Sequence, residues 1–156
     1  MAFLYLDTSS FVKLYLVEKN SNWIRINVKG NQVIISELTL AETTNVITRL
    51  FRDGKITQHK ASTILAVINR QSTNFIIIPL RIREQLGNFT SLGFSLPASL
   101  RLRTLDSIQL LAAENARNNI ITQDPSADFT FVSSDIKLLQ VAQARGFSIE
   151  NPENYP

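Results

Sequence analysis

The sequence predicts an α/β fold, a three-layer α/β/α sandwich with a central parallel sheet. Short apolar runs rich in β-branched and aromatic residues alternate with segments whose apolar residues recur at helical spacing. Such alternation is typical of parallel sheets covered by helices on both faces. Right-handed crossovers then place the carboxyl ends of the strands along one edge of the sheet. At 156 residues, we expect a single domain over 1–156.

The first strand and helix show the pattern most clearly. Phe3–Leu6 is an apolar run that ends at Asp7, and hydroxyl residues of the kind that begin helices follow it. Phe11, Leu14 and Tyr15 then repeat at helical spacing. Open α/β folds place their sites at such strand ends, although Asp7 could also serve only as a helix cap.

The remaining elements follow the same alternation. Further strands are predicted at Gln32–Ile35, Asn74–Pro79, Phe129–Val132 and Phe147–Ile149. Helices are predicted at Asn20–Lys29, Ser36–Arg52, Ile56–Gln71, Thr104–Arg117 and Ser133–Arg145, with one or two short helices within Arg81–Leu100. We expect a loop at Asn118–Asp128 and a partly loose tail at Glu150–Pro156.

Composition excludes several kinds of site. The chain has no cysteine and a single histidine, His59, so thiolate metal sites, zinc sites and Ser-His-Asp catalysis are disfavoured. A metal would have to be held by oxygen, which favours Mg²⁺ or Mn²⁺. The glycines form no G-x-G-x-x-G motif of a dinucleotide-binding fold.

The chain carries no sign of membrane insertion. No segment approaches the roughly 18 apolar residues of a membrane span. The apolar start contains Asp7 and no basic residue before Lys13, unlike a signal peptide. We therefore expect a soluble cytoplasmic protein. Its net charge of +3 gives weak support to a polyanionic substrate.

Glu42 is a second acid in apolar surroundings. It shares an i, i+4 row with Leu38, Val46 and Leu50 on a predicted helix. A carboxylate in such a row is costly unless it is paired or binds a metal. Alternatively, its side chain could reach solvent at the edge of the apolar stripe.

Asp106 and Asp135 complete the set of candidate acids. Asp106 lies in the first turn of a predicted helix, where the helix dipole alone would favour an acid. Asp135 repeats the arrangement around Asp7, with an apolar strand and hydroxyls before it and a helix after it. Four carboxylates held close would repel one another without a metal, so we expect metal-free Asp106→Asn to be at least as stable as the wild type.

In sequence order, four segments resemble the PIN-domain family and, within it, the VapC-like toxin ribonucleases of prokaryotic toxin–antitoxin pairs. The segments are Tyr5-Leu6-Asp7-Thr8-Ser9, Leu38-Thr39-Leu40-Ala41-Glu42, Leu105-Asp106-Ser107-Ile108-Gln109-Leu110 and Phe131-Val132-Ser133-Ser134-Asp135. The resemblance covers nearly the whole chain and implies a PIN-like fold. It implies that the acids of the site are Asp7, Glu42, Asp106 and Asp135, with Thr8 and Ser134 as supporting hydroxyls.

The implied activity is that of a Mg²⁺- or Mn²⁺-dependent endoribonuclease, the toxin of a pair, with RNA as substrate. A cognate antitoxin and a second copy in a homodimer are the implied partners. Phosphodiester hydrolysis needs an activated water and charge neutralisation, which such metals supply. We expect Asp7, Glu42 and Asp106 to be metal ligands, directly or through water, and Asp135 to complete the site or to hold a second metal. Thr8 or Ser134 would orient the water or a phosphate oxygen. The alternative is a catalytically inactive PIN-like module that binds RNA or a partner.

The sequence also departs from the family pattern. The stretch from Asp106 to Asp135 is long and carries Asp124 and Asp128, either of which could replace Asp135 in the site. Gln109 stands where similar sequences often carry histidine.

The segment from Ser36 to Gln71 has more apolar residues than one helix face requires. They include Leu50, Phe51, Ile56 and Val67. We expect a second subunit or an antitoxin segment to cover part of this surface through helix-in-groove contact.

Overall fold

Five parallel strands form a single sheet in the computed structural model, which describes residues 1–18 and 20–156. The strands are β1 (Phe3–Leu6), β2 (Gln32–Ser36), β3 (Ile76–Ile78), β4 (Phe129–Val132) and β5 (Ser148–Glu150). Their order is β3-β2-β1-β4-β5, which puts β1 at the centre. All pairs are parallel, so all five carboxyl ends meet at one edge.

Seven α-helices connect and cover these strands within the described ranges. They are α1 (Thr8–Phe11), α2 (Ser21–Asn27), α3 (Glu37–Arg52), α4 (Gln58–Gln71), α5 (Leu86–Ser95), α6 (Thr104–Gln123) and α7 (Ile136–Ala144). Hydroxyl caps begin α3 and α4, where Ser36 and Thr57 accept hydrogen bonds from Thr39 N and Lys60 N. Across the described residues, no helix combines the length and apolar character needed to cross a bilayer.

Alternate strand residues pack against opposite helical layers. Tyr5, Ile34 and Phe131 face one layer and join a cluster that includes buried residues of α6 and α7. Leu6 and Ile35 face the other layer and join buried residues of α1, α2 and α4. Burial of both sheet faces explains why the strands are continuous apolar runs. The predicted three-layer sandwich is therefore confirmed.

Several helix boundaries differ from those predicted, most clearly those of α1 and α6. The first helix ends at Phe11 and continues as a 3₁₀ turn at Val12–Leu14. The α6 helix runs to Gln123 rather than to Arg117, so the expected loop from Asn118 is mostly helix. Ile120 packs against the core of this layer, and this tertiary contact outweighs the low helix propensity of the preceding asparagines.

The tail after β5 is folded rather than loose, so that prediction was wrong. Pro152–Asn154 forms a 3₁₀ turn, and Pro152 is buried. The ring of Tyr155 stacks on that of Trp23 with centroids 4.9 Å apart. The carbonyl of Glu153 accepts a hydrogen bond from Asn20 Nδ2 at 2.9 Å. These contacts attach the tail to α2.

Most of the apolar side chains of α3 and α4 pack inside the protein. Leu50 and Ile56 pack against an internal cluster around Ile47. Phe51 is the clear exception, at 41% exposed. The more exposed apolar side chains lie elsewhere, and they include Val17, Ile26, Phe94 and Ile136. Val67 is half-buried, and coverage of this segment by a second subunit or an antitoxin stays a prediction.

Candidate active site

Asp7 lies immediately after the central strand, at the edge where the strands end. Its carboxylate is buried and accepts hydrogen bonds from three residues. Ser133 Oγ donates at 2.6 Å, Ser9 Oγ donates at 2.8 Å, and Ser10 N donates at 2.9 Å as the helix cap of α1. The proposed cap role is thus real, but it uses only part of the carboxylate.

Burial raises the pKa of Asp7 above its ordinary value. Desolvation is the dominant cause, and it outweighs the hydrogen bonds from Ser133, Ser9 and Ser10, which act to lower the pKa. A desolvated carboxylate held by fixed donors is typical of a functional site, although buried structural acids also occur.

Sheet register explains the contact between Asp7 and Ser133. Leu6 pairs with Val132 across β1 and β4, so the next residue on each strand lies side by side. From the end of β4, Asp7 is therefore supported by the hydroxyl of Ser133, whereas the sequence predicted Thr8 and Ser134 as supporting hydroxyls. Ser134 instead directs its hydroxyl towards Glu153 Oε1 at 3.4 Å, and its backbone N–H donates to Ser9 Oγ.

Glu42 is brought to the same edge by α3. Thr8 Oγ1 donates to Glu42 Oε2 at 2.5 Å. Gln109 Nε2 also donates to Glu42 Oε2, at 3.2 Å, and to Thr8 Oγ1, at 3.2 Å. The acid that interrupts an apolar row is therefore paired with polar groups rather than extended into solvent.

Gln109 is the centre of a buried hydrogen-bond network. Its Oε1 accepts from Tyr5 OH at 2.8 Å, Ser36 Oγ at 3.1 Å and Thr39 Oγ1 at 3.3 Å. Burial raises the pKa of Tyr5, so its hydroxyl stays protonated and donates. A fully connected buried network of this kind fixes side-chain positions. It ties β1, β2, α3 and α6 together beneath Glu42.

Asp106 and Asp135 line a neighbouring cavity of about 310 Å³. Asp106 lies one turn before Gln109 on α6. Its carboxylate accepts a hydrogen bond from Arg103 Nε at 3.4 Å. Asp135 caps α7 by accepting from Leu138 N at 3.0 Å. Both acids thus lie at the carboxyl edge, and both helix-terminus roles expected from the sequence are present.

Asp124 and Asp128 are placed away from this edge. Asp124 follows α6 and accepts from Ser126 in an exposed turn. The carbonyl of Asp128 accepts from Phe3 N, at the start of β1. The strand starts form the opposite edge of the sheet, so neither residue can replace Asp135.

The four candidate acids share an edge, but they do not form a closed metal cage. Among residues 1–18 and 20–156, no group of three or more Asp, Glu, His or Cys side chains is arranged to hold a metal ion. Convergence of Asp7, Glu42 and Asp106 within one metal's reach therefore stays a prediction.

A buried ion pair connects the site to the folded tail. Lys13 Nζ is 2.6 Å from Glu153 Oε1 and 3.7 Å from Glu18 Oε2. The Lys13 side chain is only 6% exposed, whereas Glu153 is 42% exposed. Glu153 also accepts from Ser134, so it links the buried ammonium to the end of β4.

Glu153→Ala is expected to lower the free energy of unfolding by about 1–3 kcal/mol, because the buried Lys13 ammonium loses a charge-assisted hydrogen bond. Urea denaturation measures the change. Glu84→Ala is the matched control, since Glu84 pairs with Arg81 at 3.6 Å on an exposed surface, where such pairs contribute little. Equal losses in the two variants would contradict the structural role of the tail.

A sequence model of the PIN domain matches residues 4–130. The chain belongs to the PIN-domain family. The matched range contains Asp7, Glu42 and Asp106, and it ends before Asp135. No curated protein matches the chain.

Solved structures share the fold of this PIN domain over nearly its full length. VapBC2 from Rickettsia felis, bound to a promoter DNA fragment, is 18% identical with a TM-score of 0.61, covering 96% of this chain and 98% of that one. FitAcB from Neisseria gonorrhoeae is 12% identical with a TM-score of 0.64, covering 97% and 99%. VapC20 from Mycobacterium tuberculosis, a toxin that cleaves the sarcin–ricin loop, is 16% identical with a TM-score of 0.60, covering 98% and 99%. At these identities, the likeness establishes the fold.

Proposed function

We propose that this PIN domain is a divalent-metal-dependent endoribonuclease and the toxin of a toxin–antitoxin pair. The observation that carries the proposal is the buried Asp7 carboxylate at the end of the central strand, with Glu42 joined to the adjacent Thr8. Structural neighbours that include a VapBC complex and a toxin that cleaves the sarcin–ricin loop support the toxin assignment. The proposed partners are a cognate antitoxin and a second copy of the chain.

The donor set suits Mg²⁺ or Mn²⁺. All four candidate ligands at this edge are carboxylates, and such ions prefer oxygen ligands. Mg²⁺ usually keeps several waters and is held by one or two carboxylates plus substrate phosphates. An open arrangement of acids therefore fits it. Asp7, Glu42 and Asp106 would hold the ion, and Asp135 would complete the site.

When bound, the metal would lower the pKa of a water and neutralise charge that develops on the phosphate. The protein's part is to hold its ligands in position. Three donors fix Asp7, and Gln109 fixes Glu42 and Thr8, so little reorganisation is needed for binding. Thr8 or Ser134 would orient the attacking water or a phosphate oxygen.

A second candidate function is a catalytically inactive module that binds RNA or a partner. It is favoured by one observation, that both oxygens of Asp7 already accept hydroxyl hydrogen bonds. A bound metal would have to share the Asp7 carboxylate with these hydroxyl groups.

Cleavage of single-stranded RNA separates the two functions. The nuclease is expected to cut RNA with Mg²⁺ or Mn²⁺ and to lose that activity in EDTA or with Ca²⁺, which prefers more ligands and a looser geometry. Full activity in EDTA would contradict the metal mechanism. RNA binding without cleavage in any divalent metal would favour the inactive module. A small neighbouring gene for a DNA-binding protein would support the antitoxin.

A further inference from the structure

The cavity shared by Asp106 and Asp135 is also lined by basic residues. Its remaining walls are Arg101, Leu102, Arg103 and Lys137. We call this the 101–137 cavity. It contains three cations and two carboxylates, and both carboxylates are candidate site residues.

Two arginines of this cavity flank a single leucine in the segment before α6. Arg101 and Arg103 both line the cavity, one on each side of Leu102. Leu102, between them, packs against the core cluster of this layer. The arginines are thereby anchored beside the cavity by the burial of the leucine.

The cations of this cavity are incompletely neutralised. Within the described residues, neither Arg101 nor Lys137 forms an ion pair, although two carboxylates line the same cavity. Arg103 pairs with Asp106, but its side chain is 84% exposed and can turn at little cost. The Asp135 carboxylate is already engaged by Leu138 N.

Two helices begin at the cavity wall. Arg103 precedes α6 and makes no capping hydrogen bond with its side chain. Lys137 lies in the first turn of α7. Helix N-termini attract anions, and the unpaired cations beside them point to the same ligand chemistry.

We propose that Arg101 and Lys137 bind a backbone phosphate of single-stranded RNA next to the bond that is cleaved. The proposal rests on the nuclease function, because it makes the cavity a subsite of that active site. Its volume of about 310 Å³ is at the small end of ligand pockets, so it suits one sugar-phosphate unit rather than a duplex. A basic group that recognises phosphate would hold the chain without reading its sequence.

RNA binding in EDTA tests the subsite without requiring cleavage. Fluorescence anisotropy with a labelled single-stranded RNA would give Kd over a range of salt concentrations. Arg101→Ala and Lys137→Ala are each expected to raise Kd about 3- to 10-fold and to reduce the salt slope by about 0.7. Arg83→Ala, which removes the same charge from the exposed 3₁₀ turn Ile82–Gln85, is the control and is expected to change neither.

In the presence of metal, both variants are expected to raise KM with kcat changed less than about threefold, since the lost contact is made equally in the ground and transition states. If they match Arg83→Ala in Kd and salt slope, the subsite is overturned, even if the wild type cleaves RNA. A wild type that does not bind RNA would also overturn it. If the wild type binds RNA but never cleaves it, and the variants still weaken binding, the subsite stands and only the nuclease function fails.

Discussion

Asp7→Asn is expected to lower RNA cleavage by at least about 100-fold while the protein stays folded. Loss of an outer contact to a metal ligand already costs 10–100-fold in many metal sites, and Asp7 would be a direct ligand. Asparagine keeps the shape, and its oxygen can still accept from Ser10 N to cap α1. The Ser9 and Ser133 hydroxyls can turn to accept from the new amide. Cleavage rates and far-UV circular dichroism measure the two effects.

The same substitution is expected to stabilise the metal-free protein at neutral pH. Because burial raises the pKa of Asp7 in the folded state, the folded protein binds more protons than the unfolded chain between about pH 4 and the raised value. Wild-type stability therefore falls as pH rises through that window and is constant above it. Asp7→Asn has no carboxyl group to ionise at this position, so it avoids this loss of stability. The difference in Tm between the variant and the wild type should therefore grow across the window and disappear below about pH 4.

Asp128→Asn is the matched control for both measurements. Asp128 is an exposed acid at the opposite edge of the sheet, so the same chemical change should leave cleavage unaltered. If Asp7→Asn retains wild-type cleavage, Asp7 does not hold the metal. If it is instead strongly destabilised at pH 7, the hydrogen bonds that the charged carboxylate accepts from Ser9 and Ser133 outweigh the cost of its burial.

Much of this fold is predictable because its signals are local. Buried parallel strands need continuous apolar runs, and Phe3–Leu6 and Phe129–Val132 have the predicted bounds. Ser36 caps the helix that it was expected to begin. The errors arise where distant contacts decide the structure. Ile120 extends α6 through core packing, and Trp23 holds the tail through its stack with Tyr155.

In the candidate site too, local features were predictable from the sequence and long-range contacts were not. Acids that follow strands or interrupt apolar rows could be selected from the sequence, and the structure places all four at the expected edge. The groups that position them could not. Gln109 contacts Tyr5 across 104 residues and Ser36 across 73, and no local pattern marks such pairs. Ser133 was predictable in principle, since alignment of the two strands puts it beside Asp7.

Stabilisation of the folded protein by Mg²⁺ tests whether Asp106 is a metal ligand. If the site is real, Mg²⁺ at about 100 times its Kd should stabilise the wild type by about 2.7 kcal/mol. For a domain of this size, that is a rise in Tm of about 5–10 °C. Asp106→Asn should lose most of the rise because it removes a ligand. Thermal melts of both proteins with and without Mg²⁺ measure it, and Asp128→Asn should respond as the wild type does.

The contacts of Asp106 reverse the stability change that the sequence predicts for metal-free Asp106→Asn. Asp106 accepts from Arg103 and lies in the first turn of α6, so both contacts stabilise its charge. Without metal, Asp106→Asn should therefore lose about 0.3–1 kcal/mol, rather than gain stability as crowding of four carboxylates would predict. This small loss is independent of Mg²⁺, whereas loss of a ligand appears only when Mg²⁺ is present. If neither Mg²⁺ nor Mn²⁺ changes the Tm of the wild type, Asp106 has a helix-terminus role alone. The proposal of a metal-dependent nuclease would then be wrong.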